Sequence, residues 1–341
     1  MIYAWPVRES SRRTLQDIAD AAGLSKAATS YALRGLRGSA ATQAKVRKIA
    51  DELGYTVDPI ARALANGRTG NVAVIGTLRD LYRQGLAVML STALGELDLS
   101  ATIFDVDASP EREESALRAL AASRADAVIT LPVDPSAAYW AELPADIRIV
   151  SIGDALPTRP DAACVLFDNA YGVSTALEHL AGLGHRSIGI LAPSLPSTPG
   201  RPAEVLAETM GAAMNLDVTV ASSPPSVAGA AGAAQQILSV TPRPTALFCL
   251  SDSIAFGAYH AAQEINLAIP DDLSVLGFDD SALASLVYPA LTTFGWDEQA
   301  IVDAAVGYLA EPADDDSRPN STSFRPKFIE RASTAPPTTF R

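Results

Sequence analysis

The chain has 341 residues, 48% of them hydrophobic, with 22 glycines and 23 prolines, a globular composition long enough for two or three domains. Only two cysteines are present, Cys164 and Cys249, both inside apolar runs; they read as inert core residues, exclude a disulfide or zinc framework and fit a reducing cytoplasm. No run of about 18 apolar residues marks a membrane span, and the leading MIYAWPVRESSRR lacks the apolar stretch of an export signal.

The formal net charge of −13 would argue against a nucleic-acid partner if it were spread evenly, but residues 1–68 carry eleven Lys/Arg and six Asp/Glu. A basic head on an acidic body directs phosphate attraction to the N-terminal part and repels DNA from the rest. Within that head, RRTLQDIADAAGLSKAATSYALRG reads as two short helices around a tight turn. Leu15, Ile18, Ala19 and Ala22 repeat at helical spacing, Gly23 stops the first helix, and Ser25 caps a second from Lys26 to about Leu33. Thr29, Ala32 and Leu33 supply the inner side of that second helix. Lys26, Ala27, Ser30, Tyr31 and Arg34 are left on the outer side, small, hydroxyl-bearing or basic groups that suit a DNA major groove.

Thr42 is expected to cap a third helix with Val46, Ile49, Ala50 and Leu53 on its buried stripe and Gly54 at its end. Lys45, Arg47 and Lys48 on that helix could contact phosphates or simply be solvated. Next, Asp58 and Pro59 can start a short helix over Ile60 to about Ala65, closed by Asn66 and Gly67. A helix so short is marginal alone in water. Leu64 then projects without an obvious intrachain core, either as an apolar wedge for a minor groove or as an incidental residue of a linker.

From Asn71 the pattern becomes strands alternating with helices. VAVIGTL, ATIFDV, DAVITLP, IRIVSIG, SIGILAP, TALFCLS and LSVLGFD resemble strands covered on both faces of a parallel sheet, and helical stretches such as LAVMLSTALGEL, EREESALRALAAS and NAYGVSTALEHLAGLG lie between several of them. Such repetition predicts a doubly wound α/β body of two lobes. Ligands in such sheets bind past the carboxyl ends of strands, which singles out Tyr82, Arg83, Asp154, Asp252, Asp279 and Asp280. The alternative for Asp279 is a turn-forming residue in FDDS.

These motifs together resemble the LacI/GalR family of bacterial transcriptional regulators. The resemblance is carried by LQDIADAAGLSKAATSYALRG, ADELGY and DPIARALANGRTG in the head, and by FDNAYGVSTALEHLAGLGHRSIGIL, RPTALFCLSDSIAFGAYHAAQEINLAIPDDLSVLGFDD and RASTAPP in the body. It implies a helix-turn-helix head over 13–57, a hinge helix and linker over 58–69, and a periplasmic-binding-protein-like effector and dimerisation domain over 70–341. The DNA-binding set it implies is Thr14, Ser25, Lys26, Ala27, Ser30, Tyr31, Arg34, Ala61 and Leu64, with Leu64 as the wedge. Tyr31 stands where the family usually carries arginine, which points to a different operator sequence. Joined to the strand-end residues, this gives an expected effector set of Tyr82, Arg83, Asp154, Arg201, Ser251, Asp252 and Asp279 for a sugar or nucleobase ligand, of which the resemblance itself implies Asp279 and Asp252; Arg201 is followed by proline and stands out of the family's register, and Ser251 replaces its usual asparagine.

The expectation is therefore a cytoplasmic, homodimeric, DNA-binding repressor of a palindromic double-stranded operator, controlled by a small effector and needing no cofactor or metal. LAVMLSTALGEL and AFGAYHAAQEI are candidate dimer faces, although core packing would demand the same residues. An enzyme is disfavoured: His179, His185 and His260 show no metal or triad spacing, and no Walker loop or glycine fingerprint appears. A solute-binding protein of a transport system is the alternative, but it predicts an export signal and no basic head.

Overall fold

The structure is a computed structural model and describes residues 13–55, 69–123, 125–193, 203–224, 226–310 and 320–338. The expected hinge helix, with Ala61 and Leu64, and the expected effector residue Arg201 lie outside the described residues. The chain divides into two compact units, Met1–Thr69 and Gly70–Arg341.

The first unit holds three helices, α1 (Leu15–Ala22), α2 (Lys26–Leu33) and α3 (Ala40–Glu52). Thr14 caps α1 through a reciprocal capping box with Asp17, and Gly23 ends it at φ +71°, in the left-handed region that glycine enters without strain. Ser25 caps α2 by accepting the Ala28 N–H at 3.2 Å. The cap of α3 is Ser39, not Thr42: the Ser39 side chain accepts the Thr42 N–H at 3.2 Å, and the helix starts three residues earlier than a cap at Thr42 would allow. Ser39 is extended and Thr42 already helical, so only Ser39 can turn its hydroxyl back onto the orphan N–H groups. Ile18, Ala22, Ala32, Val46 and Ala50 meet in the core, with Leu24, Leu33, Ile49, Leu53 and Tyr55 around them.

The second unit contains two parallel sheets. One has six strands in the order β11 (Ser321–Phe324), β5 (Ala163–Phe167), β4 (Arg148–Gly153), β3 (Ala127–Thr130), β1 (Asn71–Gly76), β2 (Ser100–Asp105). The other has four, in the order β7 (Asp217–Ser223), β6 (Ser187–Pro193), β8 (Ala246–Cys249), β9 (Ser274–Leu276). The runs AVIT and ALFC are buried at every position, as strands covered on both faces must be. ATIFDV departs from the expectation of two covered faces: β2 is an edge strand with much of it exposed.

Helices α4 (Leu81–Glu96), α5 (Pro110–Ser123) and α10 (Glu298–Ala310) belong to the first lobe, and α6 (Asn169–Gly182), α7 (Ala203–Ala213), α8 (Val227–Leu238) and α9 (Asp252–Glu264) to the second. The chain passes between lobes three times. It crosses after β5, again after β10 (Thr293–Gly295) so that α10 packs on α4, and finally between β11 and β12 (Lys327–Ile329), which pairs antiparallel with β10. No helix among the described residues is long and apolar enough to cross a membrane.

Candidate nucleic-acid interface and ligand cleft

The inner side of α2 is fixed by Thr29 and Ala32, both fully enclosed, and the Thr29 hydroxyl donates to the Ser25 carbonyl at 3.0 Å. Because this side is committed to the three-helix core, Lys26, Ala27, Ala28, Tyr31 and Arg34 stand exposed on the outer side, with Ser30 half-buried. The Arg37 guanidinium lies 5.2 Å from the Tyr31 ring centroid, so a positive charge steadies the one large aromatic group on that surface. On α3, Lys45 donates to the Ala22 carbonyl at 3.0 Å and caps α1, while Lys48 faces Glu52 at 3.8 Å. Lys45 is thus an exposed residue whose ammonium is tied to the end of α1, which neither the phosphate-contact reading nor the solvated reading of these basic residues anticipated.

The second site forms where strand ends of the two lobes meet. From the first lobe, Asp80 caps α4 by accepting the Arg83 N–H at 3.1 Å, and the Arg83 guanidinium donates to the Leu131 carbonyl at 3.3 Å. Tyr82, the second residue of α4, is buried, and its ring meets Phe167, at the end of β5, edge-on at 6.3 Å. Phe167 stacks on Trp296 at 4.3 Å, and Trp296 continues to Phe278 at 5.9 Å. Trp296 packs against the cores of both lobes, so this aromatic column forms a shared wall. The lobes also touch directly: the Leu81 N–H donates to the Ser253 hydroxyl at 3.1 Å, and the Leu81 side chain packs against the second lobe's core.

From the second lobe, Asp279 and Asp280 follow β9 with φ of +109° and +53°, left-handed conformations that cost free energy at a non-glycine residue. That strained turn directs the Asp279 carboxylate at the shared wall, where it accepts the Trp296 indole N–H at 3.3 Å. Asp279 is half-buried as a residue. Burial first, then the charges of Asp80 and Asp252, hold its pKa well above the ordinary carboxylate range.

Asp252 lies differently from Asp279. It is 1% exposed, and its two oxygens accept the Thr293 hydroxyl and the Ser281 N–H, each at 2.6 Å. It therefore braces the turn that carries Asp279. Burial pushes its pKa up to about 7 against the lowering effect of those donors. Ser251 caps α9 by accepting the Ile254 N–H at 3.3 Å. Asp154 follows β4, half-buried, with its carbonyl accepting the Ser151 hydroxyl at 2.6 Å. The strand-end rule thus located Tyr82, Arg83 and Asp279 on one cleft. It missed Asp80, Phe167, Trp296 and Glu298. Trp296 follows TFG, a strand of only three residues with no local signal of its own, whereas Asp80 carries the signal of an N-cap before LYRQG.

Two of the histidines serve packing, while His260 is exposed on α9 and faces Glu264 at 3.4 Å. His179 pairs with Thr334 at 3.0 Å, and His185 is held by Thr245 at 2.8 Å, Ser274 at 3.1 Å and the Ala335 carbonyl at 2.9 Å. The apolar side of α9, from Ala255 to Ala262, is consumed by its own lobe's core, whereas Val88 on α4 remains 59% exposed.

Two family models match the chain: "Bacterial regulatory proteins, lacI family" over residues 14–58 and "Periplasmic binding protein-like domain" over residues 177–334. The ribose operon repressor of Haemophilus influenzae is 30% identical over 82% of this chain and 86% of that protein. The HTH-type transcriptional repressor PurR of Vibrio atlanticus is 28% identical over 94% and 98%. Among solved structures, the Lac repressor dimer bound to operator and the anti-inducer ONPF superposes with a TM-score of 0.83 at 23% identity, covering 95% of this chain and 99% of that one.

Proposed function

Because the chain belongs to the lacI family of bacterial regulatory proteins, we propose that it represses transcription in the cytoplasm as a homodimer, reading a palindromic operator under the control of a small ligand held in the cleft between its lobes. The transport-protein alternative gives way to the family, whose DNA-binding model occupies residues 14–58. The observation that carries the reading is the outer side of α2. Lys26, Ala27, Tyr31 and Arg34 are presented to solvent by a helix whose opposite side is locked into a core.

One such helix reads few base pairs, and a two-fold pair of heads doubles the contacts. Residues 13–57 are the DNA-binding head in this scheme, 58–69 the hinge and 70–341 the effector and dimerisation domain. Thr14, Ser25 and Ser30 would contact the backbone, Lys26, Ala27, Tyr31 and Arg34 the groove, and Ala61 and Leu64 the minor groove. Tyr82, Arg83, Asp154, Arg201, Ser251 and Asp279 would face a hydroxyl-rich ligand such as a sugar, or a nucleobase. Asp252 would act through the Asp279 turn.

The test is selection of DNA ligands from a random pool by the full chain. Recovery of a palindrome, bound with affinity that falls linearly in log salt, is expected. Enrichment of no sequence, or of a single non-repeated half-site, would overturn the dimeric repressor.

A further inference from the structure

Helix α2 ends in a turn that brings the chain back over the helix's own outer side. Gly35 follows at φ +70°, its N–H donates to the Ala32 carbonyl at 3.1 Å, and the Leu36 N–H donates to the Tyr31 carbonyl at 3.0 Å. These are the paired bonds of a Schellman ending, made possible by a left-handed residue after the cap. Gly38, at φ +98°, closes the turn, and its carbonyl accepts the Gln43 side-chain amide at 3.3 Å just before Ser39 caps α3. Both ends of the turn are thereby fixed, and Arg37 is the charged residue between them.

Arg37 is exposed, yet its guanidinium is not free-swinging: the guanidinium carbon lies over the Tyr31 ring, 5.2 Å from the centroid. Tyr31 is 39% exposed on the outer side of α2, the side turned to solvent because Thr29 and Ala32 are enclosed in the core. An ordinary surface arginine must immobilise a long side chain before it can make a directed pair of hydrogen bonds. A guanidinium held over an aromatic face has given up much of that freedom beforehand. The ring claims the charge and not the donors, so the N–H groups remain available to a ligand.

We infer that Arg37, although it lies beyond α2, reads a guanine in each half of the operator, with the Tyr31 ring as the support that aims it into the groove. Guanine presents two acceptors on its major-groove edge, O6 and N7, and the planar fork of arginine matches them. An arginine on an unsupported loop would settle on phosphate oxygens at the rim of the groove, which position a protein without reading sequence. Tyr31 makes the difference, because it projects from the outer side of α2 and carries the guanidinium with it. In this role the ring matters and its hydroxyl does not. The inference rests on the reading of α2 as the DNA-reading helix, to which Arg37 adds specificity from outside the helix.

The test titrates the full chain and its variants against the selected palindrome, and against palindromes in which each base pair is changed symmetrically, at several salt concentrations. Arg37→Ala should lower discrimination about tenfold or more at one guanine per half-site and leave the other positions as in the parent. Tyr31→Ala should lower it at the same guanine, and Tyr31→Phe should restore it, since the ring returns without the hydroxyl. Affinity that falls equally for every sequence in Arg37→Ala, with a salt slope smaller by about one, marks a phosphate contact and overturns the inference. A guanine preference that survives Arg37→Ala or Tyr31→Ala, or that Tyr31→Phe fails to restore, overturns it too, and in each of these cases the operator reading stands. Selection that yields no palindrome overturns that reading and the inference together.

Discussion

Asp252→Asn should change how stability depends on pH, with little change in geometry. The introduced amide can place its oxygen on the Ser281 N–H and its NH₂ group on the Thr293 hydroxyl, replacing the two 2.6 Å contacts of the carboxylate. Burial raises the Asp252 pKa from 3.8 to about 7, so the folded state binds the proton more tightly than the unfolded chain. Stability from this group is complete below about pH 4 and declines as pH climbs to about 7, the full decline being about 4 kcal/mol at 1.36 kcal/mol per unit. Asparagine carries no such dependence. Urea unfolding followed by tryptophan fluorescence, with Trp140 and Trp296 reporting on the second unit, should show the variant gaining on the parent as pH rises, with more than half of the gain appearing above about pH 5. A difference between the two proteins that stays constant with pH would refute an enclosed, uncompensated carboxylate at this position.

Other outcomes follow from the same contacts. Lys26→Ala should weaken binding to the selected operator about tenfold and reduce the salt slope by about one, whereas Tyr31→Ala should alter base preference with the slope unchanged; gel-shift titrations at several salt concentrations separate the two. Leu64→Ala should weaken operator binding while ligand binding measured by calorimetry stays as in the parent. Gly257→Ala should destabilise the second unit by about 1–3 kcal/mol in thermal melts, because the added carbon would fall 2.6 Å from the Val227 carbonyl oxygen of the packed neighbouring helix, a backbone atom that cannot swing away.

The head was readable from sequence because its signals are local. A capping box at Thr14, a left-handed glycine at 23 and a cap at Ser25 set the helix limits within one turn of chain, and the apolar spacing then determines which side of α2 must face out. The central strands were readable for the same kind of reason, since a strand covered on both faces must be apolar throughout. What escaped was short or exposed. DVTVASS forms an edge strand whose short alternation runs into small and polar residues that also suit a loop, and TFG and KFI are three-residue strands that exist only because each pairs with the other across a gap of about thirty residues. That long-range pairing sets Trp296 between the lobes, so the residue joining the two halves of the cleft is the one a local reading reaches last.

The placement of the cleft's polar groups bears on how a ligand could act at a distance. Tyr82 and Asp80 belong to the first lobe and Asp279 to the second, so a molecule bonded to both Tyr82 and Asp279 is bound most tightly at one lobe spacing and favours that spacing by the difference in affinity. Against it stand the contacts already present without ligand: one hydrogen bond from Leu81 to Ser253, the burial of the Leu81 side chain and the Phe167–Trp296 stack. Contacts of this kind amount to a few kcal/mol, the same scale as typical coupling between sites. A ligand contributing a few well-placed hydrogen bonds across the two lobes is therefore on the scale needed to compete with them. The first lobe's leading strand begins at Asn71, directly after the segment 58–69, so the lobe that carries Tyr82 is the one joined by the shortest stretch of chain to the DNA-reading helices.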